Sequence, residues 1–325
     1  MEIVIFDTNA YRNIATDKDV KDIETAVLHF KQLEQKNQIV SLMHPIVIKE
    51  LLYHVAGERN SLHYLCVKAL KAMFFHCGDN VRFGVLADFD LQISRFFFKV
   101  IDPNRERIDT QLGEIVCALG LKDTDHVLKR YQYNLKQIRA QIKETEDFFK
   151  NQLKGFIKKI DPNADSWSIL QNDANKRKKA IEYFKSEQIE KEISLGYISM
   201  AYQNLLSKGL IPTESNESLL KKGEVFREIF QAPIQLYKSL LQKFVQPEFD
   251  MDSKSRENFV WDIHIMFTIG DHVVSGTISQ LYLITSDNEM INAAKNAGFL
   301  SKVFSYPEYI ELIRGRIDNY DSSAI

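Results

Sequence analysis

Two stretches, far apart in the chain, each run from an apolar, β-favouring segment into an aspartate. They are Ile3-Val4-Ile5-Phe6-Asp7-Thr8-Asn9 and Leu281-Tyr282-Leu283-Ile284-Thr285-Ser286-Asp287. Runs of this kind read as buried strands of a parallel sheet. The carboxyl ends of such strands form the crevice in which open α/β sheets bind ligands. Two carboxylates delivered side by side repel each other unless a cation neutralises them. Hard oxygen donors suit Mg²⁺ or Mn²⁺, and an ion held this way can activate water for hydrolysis.

Further acids join the pair. His44-Pro45 opens a helix with proline at its favoured first position, so Glu50 falls in the second turn among Ile46, Ile48, Leu51 and Leu52. Taken alone, Glu50 reads as a solvated glutamate on an amphipathic helix. Its place just after the second strand makes it a third carboxylate for the crevice. Asn258 to Gly270 reads as a helix apolar almost all round, carrying Asp262. A charge in such a helix needs a partner. Asp271 competes for the same role, but at nine residues' separation the two point to opposite sides of a straight helix, so only one can face the crevice. We prefer Asp262, with Asn258 one turn before it on the same face and Asp271 as the alternative. The plainer reading is a first-turn aspartate stabilised by the helix dipole, worth about 0.3–1 kcal/mol.

The elements that must position these groups follow in chain order. After Asn9 the spacing of Ile23, Val27, Phe30 and Leu33 predicts a helix over 20–35. Ile39 to Leu42 reads as a short second strand. From about residue 61 to 245 helical periodicity dominates, most clearly from Leu128 to Ile160, and Phe89 to Ile101 is open between strand and helix. Asp102-Pro103 and Asp161-Pro162 mark breaks, and Gly209 to Asn216 a loop. Glu289 to Gly298 then reads as a helix, Lys302 to Phe304 as an edge strand and Tyr306 to Arg316 as a last helix.

The acid pattern Asp7-Thr8-Asn9, Glu50, Asp262 and Thr285-Ser286-Asp287 resembles the PIN-domain ribonucleases, which include the toxins of bacterial toxin–antitoxin pairs. The resemblance covers roughly residues 1–60 and 246–325 and departs from the family in two ways. Asp262 and Asp287 are farther apart than the family pattern has them, and the compact toxins lack the long helical segment. It implies a PIN-like three-layer α/β domain built on a parallel sheet and discontinuous in sequence. Residues 1–60 and 246–325 would be its two halves, and 61–245 an all-helical insertion. It also implies a metal-dependent endonuclease, with RNA the expected substrate, DNA the alternative, and a toxin or defence role by analogy. Asp7, Glu50, Asp262 and Asp287 would hold Mg²⁺ or Mn²⁺, with Asp7 and Asp287 the primary ligands. Thr8, Asn9, Asn258 and Thr285 would orient them by hydrogen bonds. No protein general base is expected. An inhibitory protein partner and a homo-oligomer are both compatible with the resemblance. The rival class is a non-catalytic interaction protein that uses the helical segment as its binding surface.

Composition bounds the rest. Of the 325 residues 45% are hydrophobic, enough for a sizeable core. The formal net charge of -2 means that any grip on nucleic acid must come from local patches. One candidate is the stripe Lys129, Lys136, Lys143 and Lys150, continued by Lys154 and Lys158, and another is Asn175-Lys176-Arg177-Lys178-Lys179. Both also fit ordinary solvated helix faces. Tyr131 and Tyr133 beside the stripe could stack on bases, though core packing suits Tyr131 better. Cys66, Cys77 and Cys117 form no CxxC pair and read as reduced thiols. His54, His63, Cys66, His76 and Cys77 match no common zinc spacing. No run is long enough to span a membrane and the opening residues lack a basic leader, so no membrane partner and a cytoplasmic location are expected. Nucleotide-binding, serine-hydrolase and zinc-protease motifs do not occur.

Overall fold

A computed structural model of the chain describes residues 1–78, 84–164, 166–249, 259–270 and 280–323, with side chains to 316. Four strands form one parallel sheet: β1 (Glu2–Phe6), β2 (Ile39–Ser41), β3 (Gln280–Ile284) and β4 (Val303–Phe304), in the order β2-β1-β3-β4. The first and last parts of the chain thus interleave in a single α/β unit. β1 is central, flanked on both sides, and all its residues beyond Glu2 are buried. That explains its unbroken apolar run, since a strand covered on both faces has no polar side to present. β3 has the same burial pattern for the same reason.

The remaining elements are helical. Between β1 and β2 lie α1 (Thr8–Ala15) and α2 (Val20–Lys36). After β2 come α3 (Pro45–Val55), α4 (Ser61–Cys77), α5 (Phe89–Phe98), α6 (Pro103–Leu121) and α7 (Thr124–Arg130). There follow α8 (Gln132–Ile160), α9 (Trp167–Asn172), α10 (Ala174–Lys185), α11 (Glu187–Ser207), α12 (Asn216–Ile229) and α13 (Gln231–Phe244). The late helices are α14 (Phe259–Met266), extended by a 3₁₀ turn at Phe267–Ile269, then α15 (Asn288–Asn296) and α16 (Tyr306–Ser323).

Local chemistry starts most of these helices where the sequence places them. Asp7 caps α1 by accepting from the Ala10 amide, and Asp19 caps α2 in the same way. Pro45 supplies the preset φ of the first turn of α3 behind His44. The segment from Phe89, ambiguous in sequence, is helical to Phe98. Asp88 caps its start and Lys99 ends it in the left-handed region, at φ 56°. The long periodic stretch is not one helix. Tyr131 leaves helical geometry at φ -98°, ψ 17°, so Lys129 sits on α7 while the other lysines of the stripe sit on α8.

The helical segment does not stand off from the sheet unit. α4 packs on α1, α2 and α3, while α13 packs on α14 and α15. One continuous hydrophobic cluster joins β1 residues such as Ile5 to Phe89, Phe226, Tyr237 and Phe267. No described helix is long and apolar enough to cross a membrane.

Candidate functional site

The register of the sheet assembles the site. Phe6 pairs with Ile284, so Asp7 and Thr285 leave the sheet side by side. The Asp7 amide donates to the Ile284 carbonyl at 2.9 Å, and the Thr285 amide donates to the Phe304 carbonyl at 2.9 Å. The Thr285 hydroxyl then donates to Asp7 Oδ2 at 2.5 Å and accepts from the Asp287 amide at 3.0 Å. Asp7 Oδ1 takes the Ala10 amide at 2.6 Å. Asp287 caps α15 by accepting from the amides of Glu289 and Met290. Two helix N-termini therefore point at this edge, and their dipoles favour the carboxylates that cap them.

Glu50 reaches the same place from α3. Thr8 donates to Glu50 Oε2 at 2.6 Å, and Arg12 Nη1 stands 3.8 Å from Oε1. Asp262 arrives on the first turn of α14. Four acids from four separate segments thus share one electrostatic neighbourhood. Burial pushes Asp7 up from 3.8 to about 7. The hydrogen bonds from Thr285 and Ala10 oppose that rise, and the charges of Glu50 and Asp287 add to it. Burial also raises Glu50, against the pull of Thr8 and Arg12. Asp262 is raised well above the usual carboxylate range, first by burial and then by Asp287, Glu50 and Asp7. Burial and repulsion of this kind favour the protonated forms of Asp7 and Asp262 unless positive charge is brought to them.

An all-oxygen donor set of this charge fits a hard divalent cation. Asp7, Glu50 and Asp287 each engage protein partners. Among the described residues no three His, Cys, Asp or Glu side chains surround a common point as ligands.

Thr285 is fully buried and uses its hydroxyl as both donor and acceptor. Thr285→Val keeps the shape but strands Asp7 Oδ2 and the Asp287 amide. A loss of about 1–3 kcal/mol is expected in urea unfolding, together with a further upward shift of the Asp7 pKa. A variant as stable as the natural chain would show that the hydroxyl bridge contributes nothing.

Of the supporting residues expected from sequence, Thr8 and Thr285 make the hydrogen bonds described above. Asn9 is exposed on the first turn of α1. Asn258 and Asp271 lie outside the described residues. Lys136 and Lys143 are exposed on α8, and Lys150 is half-buried. Lys178 and Lys179 are exposed on α10, whereas Lys176 pairs with Asp161 at 2.7 Å and Arg177 donates to the Gln171 carbonyl at 2.6 Å. Those last two cations already serve the local fold. Tyr133 is exposed, and Tyr131 packs partly against the core. The His/Cys group disperses into separate contacts, with His76 on Glu34, Cys66 beside Arg12 and Cys77 beside Tyr11.

Two contributors escape a strand-end reading of the sequence. Arg12 brings a cation to Glu50, and Asn13 donates to Ser286 Oγ at 3.2 Å across the two strand-end loops. Arg12 had a visible signal, because it follows Thr8 by four residues and so shares its helix face. Compared with family models, curated proteins and solved structures, the chain matches none.

Proposed function

We propose that this chain is a metal-dependent, PIN-like endonuclease that hydrolyses phosphodiester bonds, with RNA the preferred substrate. The observation that carries the reading is the convergence of Asp7, Glu50, Asp262 and Asp287 at the carboxyl edge of a parallel sheet, where burial raises the first three and the neighbouring acids push Asp7 and Asp262 up further. Unused acids in that position would only destabilise the fold.

Asp7, Glu50, Asp262 and Asp287 would hold Mg²⁺ or Mn²⁺. Such an ion, when bound, supplies a water acidic enough to attack at neutral pH and positive charge beside the departing oxygen. The protein's own groups do the rest. Thr285 and the Ala10 amide fix the Asp7 carboxylate, and Thr8 fixes Glu50. Arg12, next to Glu50, offers a guanidinium to a phosphate oxygen entering the crevice. The N-termini of α1 and α15 add backbone dipoles of the same sign.

Two measurements test this. Labelled single-stranded RNA and DNA are incubated with the natural chain and with Asp262→Asn, in Mn²⁺ and in excess chelator. Cleavage that needs the metal and falls at least about 100-fold in the variant supports the reading. Equal products from both proteins, or none from the natural chain in Mn²⁺, would overturn it. In the second measurement, Mn²⁺ at about 100 times its Kd should stabilise the natural chain by about 2.7 kcal/mol. The gain should be larger at pH 8 than at pH 6, because binding must displace the protons that Asp7 and Asp262 retain.

A further inference from the structure

A cavity of about 570 Å³ opens between α3, α5, α6, α8, α11 and α14. That is within the usual range for small-molecule sites, about 300–1,000 Å³. Its lining includes Lys49, Asp90, Arg105, Phe148 and Trp261. Lys49 immediately precedes Glu50, and Trp261 immediately precedes Asp262. Consecutive side chains diverge by about 100° around a helix, so the cavity and the acidic cluster occupy neighbouring flanks of the same two helices. Roughly one helix diameter, about 10 Å, separates them. Adjacent nucleotides of a single strand span such a gap.

The walls suit a planar, polar-edged ligand. Phe148 is 50% exposed although it is a large apolar side chain, whereas Trp261 is buried in the cavity wall and anchored by its indole N–H to Glu146 at 3.0 Å. An exposed aromatic face such as that of Phe148 can stack a base. At the polar end Arg105 Nη2 meets Asp90 Oδ2 at 2.7 Å, and each side chain keeps about a third of its surface exposed, 31% and 37%. Asp88 caps α5 and lies 3.6 Å from Lys49 and 3.8 Å from Arg105, which holds this wall rigid.

We propose that this cavity is a guanine-recognition pocket for the strand that the acidic cluster cleaves, a reading that rests on the nuclease function above. A carboxylate beside a guanidinium presents acceptors next to donors. Guanine is the base whose edges offer the matching set, two adjacent N–H groups together with the O6 and N7 acceptors. Cytosine and adenine each bring one exocyclic amino group to the carboxylate, and uracil a single imide N–H.

Trp261 reports on the pocket, because the chain has two tryptophans and Trp167→Phe leaves it alone. GMP, AMP, CMP and UMP are titrated into that protein without divalent metal, following indole fluorescence. GMP is expected to quench saturably with a Kd at least 10-fold below the other three. Asp90→Asn should weaken GMP at least 10-fold, and Phe148→Ala, at a position 50% exposed, should weaken all four. No saturable quenching by any nucleotide, no preference for GMP, or unchanged GMP affinity in Asp90→Asn would each overturn the proposal. Asp7→Asn should bind GMP like the natural chain. Guanine binding by a natural chain that cleaves nothing in Mn²⁺ would defeat the nuclease reading alone, and metal-dependent cleavage by a natural chain that does not bind GMP would defeat the pocket alone.

Discussion

Asp7→Asn is expected to melt higher than the natural chain at pH 8 without divalent cations, by roughly 5 °C, while cleaving nothing. The sign follows from proton linkage. The Asp7 carboxyl loses its proton near 3.8 in the unfolded chain and near 7 in the folded one. Between those values the folded state binds the extra proton, so stability falls as pH rises through the window and stays low above it. The full difference amounts to something on the order of 4 kcal/mol. Asparagine removes the titration but caps α1 equally well. The Thr285 hydroxyl can turn to Met290 Sδ, 3.7 Å away, and accept from the new amide. Near pH 4 the two proteins should melt together. Adding Mn²⁺ at pH 8 should reverse the order, because only the natural chain then has its charges matched. A variant that melts lower than the natural chain at pH 8 would mean that Asp7 is not strained by its surroundings, and the metal argument would lose its basis.

The second large effect lies behind the site, where Glu34→Ala is expected to cost about 3–5 kcal/mol, or roughly 5–8 °C in melting temperature. Glu34 and His76 are both essentially inaccessible, at 1% and 0% exposure. His76 Nε2 donates to both Glu34 oxygens at 2.9 and 3.0 Å, and Tyr309 donates to Oε1 at 3.0 Å. Tyr11 bonds the other ring nitrogen at 3.0 Å. This one network ties α1, α2, α4 and α16 together. Phe6, the residue before Asp7, stacks edge-on to His76 at 4.6 Å between ring centres. Removing the carboxylate leaves an imidazole and a phenol buried without their acceptor, the costly half of breaking a buried pair. Glu34→Gln keeps one acceptor oxygen and should lose less. Chemical denaturation of both variants checks this. A loss under 1 kcal/mol for Glu34→Ala would mean that water or a rearranged side chain satisfies the site.

Local sequence determined a good deal of this protein. Apolar runs ending in Asp7 and Asp287 specified two interior strands, since a β-branched, uncharged run of that length satisfies only a strand covered on both faces. Pro45 behind His44 placed Glu50 in the second turn of a helix, and the apolar surroundings of Asp262 marked it as a charge in need of a partner. Those signals reach only a few residues along the chain. Helical spacing alone did not decide between strand and helix after Asp88 or locate the break at Tyr131, and the pairing of Lys176 with Asp161 and of Arg177 with the Gln171 carbonyl depends on how α8, α9 and α10 fold together. The register of β1 against β3, which sets the Thr285 hydroxyl on Asp7, is likewise tertiary, because a shift of one residue would turn every side chain to the other face. Arg105 and Asp90 belong to different helices, and nothing in either segment announces the other. Only the closed structure makes them one edge of a cavity, since hydrogen-bond distances between separate elements are set by how the whole core packs.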